Sequence, residues 1–197
     1  MKRDRFVIII SVLMIIVTLI GTTFSFFAAS IRGNENISFG STTFGGSVEV
    51  SPLYVANPIV PMDDSDVMTG YENECVDRYG FGACYAYTIH VENTGDAFDY
   101  VGNIEFNVTD IENLKYLVLD EEENEYVEGT SVVSGTPQTL GDSFTLGSSE
   151  GKDFTLIIWL TNLEGNQNEN DAGGHFDAFV TYTSTYGNKI TASISNN

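Results

Sequence analysis

From Cys84 to its end the chain is written largely in alternating apolar and polar positions. Tyr85, Tyr87, Ile89 and Val91 fall on one side of the pattern and Ala86, Thr88, His90 and Glu92 on the other, which predicts a half-buried strand. Asn93-Thr94-Gly95-Asp96 punctuates. A second strand follows through Val101 to Thr109, with Ile104, Phe106 and Val108 alternating with Glu105, Asn107 and Thr109. Leu114 to Leu119 (LKYLVL) predicts a third, and an acidic turn from Asp120 to Glu125 leads to Tyr126-Val127. Residues 129–152 are turn-rich, with short apolar runs at Val132-Val133 and Phe144 to Leu146. Asp153 to Thr161 (DFTLIIWLT) breaks the simple alternation. Phe154, Leu156, Ile158 and Leu160 share one face while Ile157 and the only tryptophan, Trp159, share the other, so this strand is expected to be central and covered on both sides. A polar loop, Asn162 to Gly174, precedes a strand from His175 to Ser184, in which Phe176, Ala178, Val180 and Tyr182 point one way and Phe179 is the apolar exception. Lys189 to Ser195 is the last strand.

Upstream the pattern is weaker. Residues 31–51 are rich in Ser, Thr and Gly, and brief alternation at Ile37/Phe39 and Val48/Val50 reads as first strands or a flexible lead-in. Residues 52–74 hold three of the four prolines and an acidic cluster, Asp63, Asp64 and Asp66. They predict a long irregular loop with no helix of the usual length. No segment beyond the first thirty residues sustains a 3.6-residue period. The expected fold is therefore all-β, an antiparallel β-sandwich or jelly roll of seven to nine strands.

The first thirty residues are of another kind. Lys2, Arg3 and Arg5 form a basic head, and Phe6 to Ile20 follow without a charge. A positive head, an apolar run and small residues after it make an export signal, with the head kept in the cytoplasm. Small residues at −3 and −1 permit cleavage after Ser25, leaving Phe26, or after Ser30, leaving Ile31. The alternative is retention: Phe6 to Ala29 would span about 36 Å as a helix, enough for a hydrocarbon core of roughly 30 Å. The expected organisation is a signal peptide at 1–25 (an anchor to about residue 30 if retained), a flexible lead-in or donated strand at 26–51, and a single sandwich domain at 52–197 with an irregular acidic loop at 52–83.

Removing residues 1–25 leaves five basic and twenty-seven acidic residues, a net charge of −22 over 172 residues. Such a surface disfavours nucleic acid and anionic lipid, which need Lys and Arg for neutralisation. Contact with a membrane is expected only through the N-terminal segment. The two cysteines, Cys75 and Cys84, read in an exported chain as a local disulfide, closing a short loop that stabilises by about 2.5–3 kcal/mol. A zinc site is the weaker reading, since His90 and His175 do not stand at ligand spacing from either cysteine.

Catalytic patterns are missing: there is no HExxH, no Gly-x-Ser-x-Gly and no phosphate-cradling glycine loop, so no enzyme is expected. His90 reads as a solvated strand histidine, and His175 beside Asp177 as a surface contact. Asn166, Asn168, Asn170 and Asp171 place oxygen ligands as calcium loops do, yet without the spaced glycine and distal glutamate of an EF-hand. They are weak Ca2+ candidates, and no other metal or cofactor is expected. Asp63, Asp64 and Asp66, with Asp120 to Glu125, read as solvated charge with loose cation binding. Asn36-Ile37-Ser38 and Asn107-Val108-Thr109 match the glycosylation acceptor pattern, which carries no weight if the source is bacterial.

A basic-apolar leader ending in Gly-Thr-Thr-Phe-Ser-Phe-Phe is followed by SFGSTTFGGSVEV. A strand with an Asn-Thr-Gly turn (YTIHVENTGDAFDYVGNIEF) comes next, then the late pair DFTLIIWLT and HFDAFVTYTST. This arrangement resembles the TasA/camelysin family of exported bacterial proteins, whose leaders are cut by a signal peptidase of the SipW type. The resemblance implies a jelly-roll domain at the cell surface or in an extracellular (biofilm) matrix, assembling with itself or with related matrix subunits into fibres. It also implies cleavage between Ser25 and Phe26 and a donated strand drawn from roughly Phe26 to Phe44. The Cys75/Cys84 pair is not part of that family pattern. The metallopeptidase activity assigned to camelysins finds no zinc-protease motif here. A secreted or anchored binding module, for calcium or a carbohydrate reached through an exposed Tyr or Trp159, is the alternative.

Overall fold

Ten antiparallel strands build two facing sheets in a computed structural model that describes residues 45–55, 58–96, 98–163 and 174–196. The strands are β1 (Gly46–Val55), β2 (Cys84–Asn93), β3 (Phe98–Thr109), β4 (Leu114–Leu119), β5 (Glu125–Ser131), β6 (Pro137–Thr139), β7 (Phe144–Leu146), β8 (Glu150–Leu160), β9 (His175–Ser184) and β10 (Lys189–Ser195). One sheet has the order β1-β2-β8-β4-β5; the other runs β10-β9-β3-β6, with β7 also paired to β3. The fold is an antiparallel β-sandwich. Cleavage at Ser25/Phe26, the leader or anchor, the donated segment and the acceptor pattern at Asn36 all lie outside the described residues. Among the described residues no helix is long and apolar enough to cross a membrane.

Alternation in the sequence becomes the inter-sheet core. Tyr85, Tyr87, Ile89 and Val91 of β2 meet Ile104 and Phe106 of β3 and Phe176, Ala178, Val180 and Tyr182 of β9 in one buried cluster. Phe106 packs on Tyr116 and Phe176, with ring centroids 5.3 and 6.4 Å apart. Gly102 lets β3 pass beneath Tyr182, whose ring would lie 2.7 Å from an added Cβ. Strand β8 is central, flanked by β2 and β4. Its inner face contributes Phe154, Leu156 and Ile158 to the core.

Three expectations need correction. Strand β6 makes the count ten, because three residues of Pro-Gln-Thr pairing at an edge carry no apolar period. Of the two readings of Val48/Val50 the first strand holds and the flexible lead-in to residue 51 does not: β1 pairs with β2 from Gly46↔Asn93 onward and buries Val48. The segment 52–83 is irregular only in part. It continues β1 to Val55 and later holds a 3-10 turn (Asp64–Asp66) running into the short helix α1 (Val67–Glu72).

Strand directions give the sandwich two distinct ends. At one lie the start of β1, the β2–β3 turn, the β4–β5 turn and the β9–β10 turn; at the other lie Val55, Cys84, Leu114, Leu160 and His175. From Gly46 to Val55, β1 runs about 30 Å from the first of these ends to the second.

Candidate functional site

The outer face of the five-stranded sheet is apolar where Ala86, Leu117, Leu119, Ile157 and Trp159 project, and the connection from β1 to β2 covers it. Met62, Val67, Cys75 and Ala83 are buried against those residues, with Tyr54, Met68 and Tyr71 at the margin. Backbone hydrogen bonds seat the cover. Met62 N–H donates to Leu160 O at 2.9 Å, Asn162 N–H to Met62 O at 2.9 Å, and Val60 N–H to Gly82 O at 2.8 Å. Cys75 and Cys84 form a disulfide and are both fully buried. That pairing removes the zinc reading. Glu74 and Cys75 both take φ 59°, so two consecutive side-chain-bearing residues turn left-handed where the chain leaves α1.

Asp63, Asp64 and Asp66 are all exposed, as expected of solvated charge, and Asp63 and Asp64 in addition latch this cover. Asp64 Oδ1 accepts from Trp159 Nε1 at 3.0 Å and from Thr161 Oγ1 at 3.0 Å, and its other oxygen pairs with Lys115. Asp63 accepts from Asn162 Nδ2 at 2.8 Å. Burial pushes the Asp64 carboxyl up. The hydrogen bonds from Lys115, Trp159 and Thr161, with the Lys115 charge, outweigh it and hold the group below its ordinary value. Trp159 is 2% exposed on the second covered face of β8, as the two-sided apolar pattern predicts, so it is no sugar platform as the alternative reading had it, and it serves the latch.

The disulfide closes a tight hairpin from Val76 to Gly82, the two residues forming a bridge. Asp77 organises its tip: Oδ1 accepts from the N–H groups of Tyr79 and Phe81, both at 2.8 Å, while Asp77 N–H donates to Phe81 O. Gly80, at φ 87°, supplies the left-handed turn residue. What this scaffold holds up is Tyr79 at 69% exposure and Phe81 at 59%. The Arg78 guanidinium carbon lies 4.7 Å from the Tyr79 ring centroid. Leu53, Val55, Val133 and Leu163 are also exposed and stand at the same far end. Spacing between the cysteines pointed to the closed loop, but nothing in the periodicity separated its exposed rings from core aromatics.

Other charged candidates fall elsewhere. His90 meets Asp153, its register partner on β8, with Nδ1 2.6 Å from Oδ1 and both side chains substantially exposed. It is therefore paired rather than merely solvated. His175 stands exposed at the start of β9. In the β4–β5 turn, Asp120 Oδ1 accepts from the N–H groups of Glu122 and Asn124, both at 2.9 Å, and these bonds hold its carboxyl below the ordinary value. Glu121 accepts the Asp153 N–H. These acids build a turn as well as carrying charge. Among the described residues no group of three or more His, Cys, Asp or Glu is placed to hold a metal ion. The calcium candidates Asn166, Asn168, Asn170 and Asp171 lie outside the described residues.

No family model matches the chain, and no curated protein matches it. Solved structures match loosely. The sporulation control protein Spo0M from Bacillus subtilis is 11% identical over 77% of this chain and 48% of its own, with a TM-score of 0.39. The chain thus spans about half of that protein. A conjugative transposon lipoprotein from Bacteroides eggerthii is 10% identical over 75% of this chain and 94% of its own, at TM-score 0.35. The cupredoxin domain of amoB from Nitrosocaldus yellowstonii is 8% identical over 77% and 84%, at TM-score 0.36. The sandwich described above rests on its own strand pairing and not on these likenesses.

Proposed function

We propose that this chain is an exported β-sandwich that works outside the cytoplasm, at a bacterial cell surface or in its matrix, as a contact module and not as an enzyme. One observation carries the reading. A buried disulfide fixes a hairpin that displays Arg78, Tyr79 and Phe81 at the end of the sandwich opposite Gly46. Disulfides persist in oxidising compartments, which agrees with the export signal in the first thirty residues. The hairpin stands at the end of the sandwich where β2 begins, and its rings are exposed there among the described residues. Exposed rings on a pre-organised loop are a recognition device, because little conformational freedom is lost on contact.

The test is cell fractionation with N-terminal sequencing and intact mass. Protein in the medium or wall fraction, starting at Phe26 and two mass units lighter than the reduced chain, supports the reading. A reduced, full-length chain in the cytoplasm overturns it.

A second reading, fibre formation by strand addition, is favoured by the position of β1. Among the described residues it is an edge strand, and residues 26–44 precede it in the sequence. An open edge offers backbone hydrogen bonds to an added strand. The resemblance to the TasA/camelysin family points the same way. Deleting residues 26–44 from the mature chain should abolish fibres and leave the sandwich folded; fibres that survive the deletion exclude this mode.

A further inference from the structure

We infer that the disulfide-closed hairpin is a carbohydrate-binding platform, with Tyr79 and Phe81 as stacking surfaces for the faces of neutral sugar rings and Arg78 as a donor to their hydroxyls. The inference rests on reading the chain as an exported contact module and names the ligand class of that module.

Three features of the tip select the ligand. The first is chemistry. Tyr79 and Phe81 are two of the most exposed apolar side chains described, at 69% and 59%. They stand among Asp77, Gly80 and Gly82, without a surrounding aliphatic patch on the hairpin itself. Flat rings in polar company suit a pyranose, whose C–H face stacks while its hydroxyls reach outward to hydrogen-bonding groups. The Arg78 guanidinium packs on one side of the Tyr79 ring. Its planar array of N–H donors then lies beside whatever stacks on the remaining aromatic surface.

The second feature is charge. The chain carries a formal −20, so polyanionic glycans and phosphate-rich polymers are repelled over most of the surface. Of the four basic side chains in the described residues, Lys115 is held by Asp64 and Lys152 lies 5.1–5.4 Å from the ring centroids of Tyr126, Phe144 and Phe154. Lys189 begins β10 at the opposite end. Arg78 is the cation displayed at the tip, and one cation does not make a polyanion site. A neutral polysaccharide meets no such penalty.

The third is size and rigidity. A standard protein interface takes roughly 800 Å² on each side, so the three side chains of the hairpin would fill one only together with Leu53, Val55, Val133 and Leu163 at the same end. One or two sugar rings need much less. The disulfide below and the two Asp77 hydrogen bonds above fix the loop before any ligand arrives, so weak stacking contacts are not spent on ordering it.

The experiment uses the purified mature chain, residues 26–197, in co-sedimentation with insoluble cellulose, chitin and β-1,3-glucan. Affinity electrophoresis through xylan and mannan extends the panel, with polygalacturonate as an anionic control. The wild-type chain should bind at least one neutral polymer, with little change in 0.5 M salt (roughly a 4 Å screening length), and should not bind polygalacturonate. Tyr79→Ala/Phe81→Ala should weaken binding by about tenfold or more, and Arg78→Ala by less. An intact disulfide by mass and unchanged Trp159 fluorescence show that the variant is folded. Binding to none of the neutral polymers, or binding that the double variant retains, overturns the inference. Found together with the chain in the medium or wall fraction, either result leaves the exported contact module standing without a glycan ligand. A photo-crosslinking side chain at position 79 that captures a surface protein on intact cells overturns it as well, in favour of a protein partner.

Discussion

The five-stranded sheet is dry on its inner face and on the part of its outer face around Ile157 and Trp159, but for different reasons. The inner face meets a second sheet, and its burial is spread over strands far apart in sequence: Ile89, Phe106, Phe154, Phe176 and Tyr182 all close the same core. The outer face is closed only where Ala86, Leu117, Leu119, Ile157 and Trp159 project, by one connection, residues 58–83, held by a disulfide, a short helix and two aspartates. A face covered by a sheet is stabilised by many strands at once. A face covered by a loop depends on a few fasteners, and each can be removed singly.

The inner core should therefore show the largest single-site losses. Phe106→Ala is expected to cost about 3–5 kcal/mol, since a fully buried ring in contact with Tyr116 and Phe176 leaves a cavity that both sheets would have to collapse to fill. Far-UV circular dichroism and Trp159 fluorescence should report the same, lowered midpoint in denaturant. Separate midpoints would mean that the sandwich does not unfold as one unit. The outer layer should behave otherwise. Cys75→Ser/Cys84→Ser is expected to cost about 2.5–3 kcal/mol through the chain entropy of the opened loop. In that variant the Trp159 emission should shift to the red at denaturant concentrations where the strand signal persists. Coincident loss of both signals would contradict a separable cover.

The latch sharpens the contrast at smaller scale. Asp64→Ala leaves the buried indole N–H of Trp159 without its acceptor and should cost about 1–3 kcal/mol. Asp64→Asn can keep an oxygen on Trp159 and Thr161 while giving up the charge on Lys115, an exposed pair worth under about 1 kcal/mol. If both substitutions cost the same, the charge and not the indole contact is what fastens the cover.

The contrast also separates what the sequence could disclose from what it could not. Alternation is a local record of two-sided burial, so β2, β3, β8 and β9 and their inward residues were legible, including the two apolar faces of β8. The cover that explains the second face was not. Its fasteners are single contacts across long separations, Asp64 to Trp159 and Asp63 to Asn162, and a contact of that kind leaves no period. Three prolines and three aspartates in residues 52–74 read as a solvated loop for that reason, and a helix of six residues is too short to show a helical repeat. Strand β6 escaped for a similar cause, pairing at an edge through Pro137, Gln138 and Thr139. The disulfide was readable from cysteine number and spacing. Exposure of Tyr79 and Phe81 was not, because an aromatic in a short loop has the same identity whether it faces the core or the solvent.

The smallest expected effect is the pH dependence of the latch, and its direction follows from Asp64. Its carboxyl is held below the ordinary value of 3.8 in the folded protein, so the folded state gives up a proton more readily than the unfolded chain. The unfolded state then binds more protons through the acid range, and stability from this group rises with pH there. The contribution is complete above the unfolded value, near pH 4, and is lost as pH falls through the lowered folded value. Urea unfolding followed by Trp159 fluorescence, run on wild type and Asp64→Asn from pH 7 to pH 3, isolates it. The difference between the two proteins should stay level above about pH 5 and narrow below about pH 4, because only the wild type has a carboxylate to protonate. A gap that stays constant down to pH 3 would mean that the Lys115–Asp64 pair contributes nothing to closing the cover, leaving the disulfide and the neutral hydrogen bonds to hold it.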